Sequence, residues 1–147
     1  MEDWQNGGFG VYIHWPFCAA KCPYCDFNSH VRSAVDQPRW LSALKFELHN
    51  AAKRTNGRVV DTIFFGGGTP SLMDAETVAG LVAEVGKLWT LASNAEVTLE
   101  ANPTSVEARK FTDFGIAGVN RVSMGIQSLR DVDLKALGRM HSVSEAR

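Results

Sequence analysis

The stretch Val11-Tyr12-Ile13-His14-Trp15-Pro16-Phe17-Cys18-Ala19-Ala20-Lys21-Cys22-Pro23-Tyr24-Cys25 carries two patterns in succession. Up to Trp15, the apolar side chains Val11, Ile13 and Trp15 alternate with Tyr12 and His14, the period-two signature of a strand with one apolar face and one more polar face. Directly after it come three cysteines in a C-x3-C-x2-C spacing. A strand therefore delivers its carboxyl end onto a cysteine-bearing loop.

The same design recurs along the chain. Apolar segments at 59–65, 96–101 and 120–127 read as three further strands: Val97 and Leu99 oppose Thr98 and Glu100, and Val122, Met124 and Ile126 oppose Ser123, Gly125 and Gln127. Between them lie helical faces, Trp40, Leu41, Leu44 and Leu48 on one and Val78, Leu81, Val82, Val85 and Leu88 on the next; a third helix is expected from an N-cap at Ser105 to Gly115. Strand alternating with helix implies right-handed parallel βα units. A doubly wound sheet would bury both faces of its strands, whereas here only one face is apolar, as when outer helices cover one side and the other turns inward to a ligand. The expected fold class is α/β, with parallel βα repeats forming part of an incomplete TIM-type barrel, since four units do not close an eightfold one. Residues 1–9 are expected as a flexible stub and 10–147 as the amino-terminal portion of the barrel domain. The fourth strand is then an open edge, and Ser144-Glu145-Ala146 looks like the opening of another helix.

Composition narrows the classes of function. The 147 residues suit one domain, and 45% apolar with 21% charged residues is ordinary globular composition. A formal charge of -1, with no dense Lys/Arg cluster, gives no footprint for nucleic acid. The acidic start Met1-Glu2-Asp3 has no apolar signal core, and no apolar run approaches the ~18 residues of a membrane span, so a cytoplasmic location is expected.

An odd, clustered set of cysteines is a poor disulfide framework and a good metal or redox site. Thiolates suit iron-sulfur clusters, which commonly take four of them; three leave one iron open to the amino and carboxylate groups of a small molecule. Two other readings stand beside this one. Cys22-Pro23-Tyr24-Cys25 alone matches a glutaredoxin-type dithiol, although that leaves Cys18 unexplained; a structural zinc site would need a fourth ligand, with His14 or His30 nearest. The run Gly66-Gly67-Gly68-Thr69-Pro70 lets backbone approach a ligand closely, and it has neither P-loop nor dinucleotide-binding order. Glu100 and Gln127, at strand ends on the polar face, are expected to share a rim with the cysteines and glycines.

Five ordered motifs carry a resemblance: Tyr12-Ile-His14-Trp-Pro16-Phe-Cys18, Cys22-Pro-Tyr24-Cys25-Asp26-Phe27, Phe64-Phe65-Gly66-Gly67-Gly68-Thr69-Pro70-Ser71-Leu72, Leu99-Glu100-Ala101-Asn102-Pro103 and Gly138-Arg139-Met140-His141-Ser142. Together they resemble the oxygen-independent coproporphyrinogen III oxidase family of radical S-adenosylmethionine (SAM) proteins, and within it the heme chaperone (HemW-like) branch. The resemblance implies a radical SAM barrel in which Cys18, Cys22 and Cys25 hold a 4Fe-4S cluster that reduces SAM to a 5'-deoxyadenosyl radical. Tyr12, Gly67, Gly68, Thr69, Glu100, Gln127 and Arg139 match SAM-contacting positions, and Tyr24 matches an aromatic whose backbone meets the adenine. By their chemistry, the glycine backbone can receive the SAM ammonium, Glu100 can accept from ribose hydroxyls and Arg139 can pair with the carboxylate. The oxidase branch carries a further cysteine where this chain has Phe27, which favours heme handling over decarboxylation of coproporphyrinogen III, the alternative activity. The implied partners are heme or a porphyrin, an electron donor for the cluster and an apo-hemoprotein acceptor.

Overall fold

A computed structural model of the protein describes residues 3–104 and 109–147. A single helical turn, α1 (Trp4–Gly7), precedes β1 (Gly10–Trp15); two short strands, β2 (Phe17–Cys18) and β3 (His30–Val31), bracket the cysteine loop. Then come α2 (Gln37–Arg54), β4 (Val59–Gly67), a 3-10 turn (Pro70–Leu72), α3 (Ala75–Leu88), β5 (Thr90–Ala101), α4 (Phe111–Ile116), β6 (Arg121–Met124) and α5 (Asp131–Ala136).

The main sheet is parallel throughout, in the order β1-β4-β5-β6. A doubly wound sheet reverses its strand order at a switch point, and these four strands contain no reversal. Each stands beside the next, as in a barrel wall. The expected α/β architecture, a partial barrel of parallel βα repeats, is thus what the chain adopts.

Burial follows the alternation. Ile13, Trp15, Ile63, Phe65, Val97 and Leu99 project from one sheet face into a core shared with Val78, Leu81 and Val85 of α3 and Leu48 of α2, and Trp40, Leu41, Leu44, Val82 and Leu88 pack against it. Each such large side chain contributes about 1.5–3 kcal/mol when fully buried. Phe17 lies edge-on to both Trp15 and Trp40, with ring centroids 5.2 and 5.0 Å away, which anchors the start of the cysteine loop to α2. The opposite face is partly open, with Tyr12 58% exposed and His14 and Glu100 half-buried, while Thr98 is fully buried.

A charged cluster joins α2 to α3. The buried carboxylate of Glu84 lies 2.9 Å from His49 Nε2 and 3.4 Å from the ammonium groups of both Lys45 and Lys87. The His49 hydrogen bond, with help from the two lysines, holds the Glu84 carboxyl below its ordinary range. A depressed folded-state pKa contributes stability that is present above the ordinary carboxylate value of about 4.3 and is lost as pH falls through the lower folded value. Glu84→Gln should therefore lower the melting temperature near neutral pH, and the gap between the two proteins should narrow below about pH 4. Thermal melts of both proteins across that range check this.

Four expectations need correction or limits. The fourth strand ends at Met124, not at Gln127, because Ile126 N turns back to Met124 O at 3.0 Å and Gln127 takes a positive φ of 71°. The third strand begins at Thr90, earlier than Glu96. The expected cap at Ser105 lies outside the described residues; among the described residues α4 starts at Phe111, after Lys110 at the N-cap position, and ends at Ile116, one residue beyond the expected Gly115. At the chain's end Ser142 and Glu145 form a reciprocal capping box, Ser142 N donating to Glu145 Oε2 at 2.9 Å and Glu145 N to Ser142 Oγ at 3.2 Å, so the turn opens two residues before the expected Ser144.

Candidate functional site

The carboxyl ends of β1, β4 and β5 gather the residues that the sequence singles out. β1 leads through Pro16 into β2, whose last residue is Cys18; β2 pairs in parallel with β3, Phe17 opposite His30 and Cys18 opposite Val31. This small sheet closes the cysteine loop at its base. None of Cys18, Cys22 and Cys25 is in a disulfide, and Cys18 is buried while the other two are half-buried.

The glycine run is held against the start of that loop by backbone alone. Gly68 N donates to Trp15 O at 2.7 Å and Thr69 N to Phe17 O at 2.8 Å. A Cβ on Gly68 would sit 2.6 Å from the Phe17 carbonyl oxygen, and one on Gly67, whose φ is +114°, would sit 2.6 Å from the His14 ring. Only glycine allows this approach. Thr69 Oγ1 then reaches Cys18 Sγ at 3.5 Å, and Gly67 N donates to Glu100 Oε2 at 3.2 Å, so the end of β4 and the glycine run after it touch both the first cysteine and the end of β5.

Tyr12 and His14 line the open face below. His14 Nε2 lies 3.0 Å from Asn28 O, a carbonyl that can only accept, so Nδ1 is left to accept from the Tyr12 hydroxyl at 3.2 Å. Burial, then the Glu100 carboxylate, raises the Tyr12 pKa, which keeps the phenol a donor. His14 is thus a hydrogen-bonded histidine.

Arg139 reaches the second cysteine from the other side. Its Nη1 donates to Cys22 Sγ at 3.5 Å and to the Tyr24 hydroxyl at 3.3 Å, while Nη2 donates to Asn102 Oδ1 at 2.6 Å and to Gly125 O at 2.7 Å. Burial and the Cys22 hydrogen bond raise the Tyr24 pKa against the lowering pull of the guanidinium. Gln127 is exposed on the loop after β6, beside Gly125 rather than at a strand end. Phe27 is 59% exposed at the end of the cysteine loop.

Of the sequence-derived residues, Cys18 meets Thr69, Gly67 meets Glu100, and Cys22 and Tyr24 meet Arg139. Gln127 meets none of them directly. Among the described residues, no three His, Cys, Asp or Glu side chains converge closely enough to grip a metal ion. The donor set nevertheless fits a thiolate-bound cluster: three unpaired thiols share one loop, and a hydroxyl and a guanidinium point donors at two of the sulfurs. Asn102 lies in the Leu99-Glu100-Ala101-Asn102-Pro103 motif, and the one mark it carries in the sequence is its place one residue beyond the strand that ends at Ala101.

The Radical SAM superfamily profile matches residues 12–147. The chain is 47% identical over 138 residues to the heme chaperone HemW of Escherichia coli (strain K12), covering 93% of this chain and 36% of that protein. It is 44% identical over 136 residues to the mitochondrial radical S-adenosyl methionine domain-containing protein 1 of Bos taurus, covering 92% and 31%. Among solved structures it resembles coproporphyrinogen III oxidase (HemN) from Escherichia coli, described as a radical SAM enzyme, with a TM-score of 0.79 and 26% identity over 94% of this chain and 34% of that one. The chain spans about a third of the length of these relatives.

Proposed function

Because this chain belongs to the radical SAM superfamily, we propose that Cys18, Cys22 and Cys25 hold a 4Fe-4S cluster, that SAM binds across the glycine run, and that the protein binds heme and delivers it. When bound, the cluster would supply an electron to SAM, drawn from a separate electron donor. The chain's own residues bind and orient. Thr69 and Arg139 direct donors at the Cys18 and Cys22 sulfurs; Gly67 and Gly68 offer backbone to the SAM ammonium; Glu100 accepts from the ribose; Tyr12, Tyr24 and Gln127 complete the rim. No described helix is long and apolar enough to cross a membrane.

The observation that carries heme delivery over porphyrin decarboxylation is Phe27, standing where the oxidase branch has a further cysteine. A phenyl ring can neither ligate metal nor relay a proton, so chemistry that depends on that thiol is missing here. The 47% identity to a heme chaperone supports the same side. The 26%-identical neighbour, an oxidase, keeps decarboxylation of coproporphyrinogen III as the second reading.

The test uses anaerobically reconstituted protein. It should bind heme and pass it to an apo-hemoprotein, seen as growth of the acceptor's heme spectrum, and should yield no protoporphyrinogen IX from coproporphyrinogen III with SAM and reductant. Robust decarboxylation with Phe27 in place would overturn heme delivery in favour of the oxidase reading.

A further inference from the structure

We propose that Asn102 is the positioning residue for Arg139, a neutral acceptor that fixes the guanidinium beside the cysteine loop and leaves its charge free for the carboxylate of SAM; this rests on the SAM reading above.

Arg139 is a hub whose Nη2 is tied to two strand ends and whose Nη1 faces the cysteine loop. Nη2 is held by Asn102 Oδ1 at 2.6 Å and Gly125 O at 2.7 Å, and Gly125 N in turn donates to Ala101 O at 2.9 Å. The guanidinium plane is therefore fixed to the ends of two neighbouring strands, β5 and β6. That hold aims Nη1 at Cys22 and Tyr24. The preceding residue, Gly138, has a φ of +66° and packs on the cysteine loop, where a Cβ would lie 3.0 Å from the Pro23 ring. Loop and strand ends are thus clasped together through one short segment.

Arg139 Nε is buried and has no hydrogen-bond partner. Such a donor is unfavourable until an acceptor arrives. Among the described residues no ion pair links Arg139 to an Asp or Glu, so no carboxylate there neutralises the guanidinium. An aspartate at position 102 would hold the same geometry and cancel that charge. Asparagine holds it without cancelling it, which suits a site that must take an anionic group.

The experiment measures SAM dissociation constants by equilibrium dialysis on the reconstituted protein, together with iron content. Asn102→Leu removes the acceptor at similar volume and should weaken SAM binding about tenfold, the lower end of what losing an outer support commonly costs, with iron content unchanged. Made in an Arg139→Ala background it should add nothing, because both changes remove one unit. Asn102→Asp should keep the fold and the iron and still bind SAM more weakly, and this variant carries the test if the leucine protein does not fold. Unmodified protein that loads iron but binds no SAM refutes the SAM reading and the inference with it. SAM bound normally by the unmodified protein and equally well by the Asn102 variants, or losses that add to that of Arg139→Ala, refutes the role of Asn102 alone.

Discussion

Cys18→Ala is expected to leave a folded protein that carries no 4Fe-4S cluster, with iron and sulfide falling from about four per chain to near zero and the broad absorbance in the visible blue disappearing. Cys18 ends β2, is buried, and receives the Thr69 hydroxyl at 3.5 Å. Alanine removes the sulfur, and neither nearby histidine is placed to replace it: His14 is engaged by Asn28 and Tyr12, and His30 is exposed on β3. Two thiols and an open iron do not make a stable cluster. The same loss is expected for Cys22→Ala and Cys25→Ala, which separates a cluster from a Cys22–Cys25 dithiol indifferent to Cys18. Iron and sulfide analysis of the three proteins reads the outcome, and an intact cluster in Cys18→Ala would remove the assignment.

The glycine run should show the second large effect, graded by position. In Gly67→Val the new Cβ meets the His14 ring at 2.6 Å, and the residue must hold a φ of +114°, a conformation that costs a branched side chain about 1–3 kcal/mol. That valine also fills the space the backbone leaves for SAM. SAM affinity should fall more than about tenfold while the cluster is retained, because the cysteine loop is not itself displaced. Gly68→Val is harsher. Its Cβ meets the Phe17 carbonyl oxygen at 2.6 Å and the Phe17 N and C at 2.9 Å, which are fixed backbone rather than a rotatable side chain. Overpacking of this kind commonly costs about 1–3 kcal/mol, and here the strain falls on the strand that ends in Cys18, so cluster content should drop as well. Melting temperatures, iron content and SAM dialysis on the pair check the gradation; unchanged SAM affinity in Gly67→Val would make the run a turn and nothing more.

Much of this was legible in the residues because the physics is local. The alternation of Val11, Ile13 and Trp15 against Tyr12 and His14 gives both the strand and its buried face, and the spacing of Trp40, Leu41, Leu44 and Leu48 gives the helix that covers it. What escaped depends on partners distant in sequence. Met124, Gly125, Ile126 and Gln127 continue the period-two pattern, yet the chain leaves the sheet because Ile126 O is taken by Ser128 N and by His141 Nε2, fifteen residues on. The two-residue strands β2 and β3 are too short for any pattern to register. In the site, the cysteines and glycines announce themselves by type and spacing. The tie between Asn102 and Arg139 bridges 37 positions, and its second anchor, the Gly125 carbonyl, is backbone and has no signature in the sequence at all.

The most direct test of the central claim, that three cysteines present an open iron to SAM, is the electron paramagnetic resonance spectrum of the reduced, reconstituted protein recorded with and without SAM. A 4Fe-4S signal is expected whose g-values shift when SAM is added, because a ligand at the open iron alters the cluster directly. A cluster signal identical in both samples would contradict that claim.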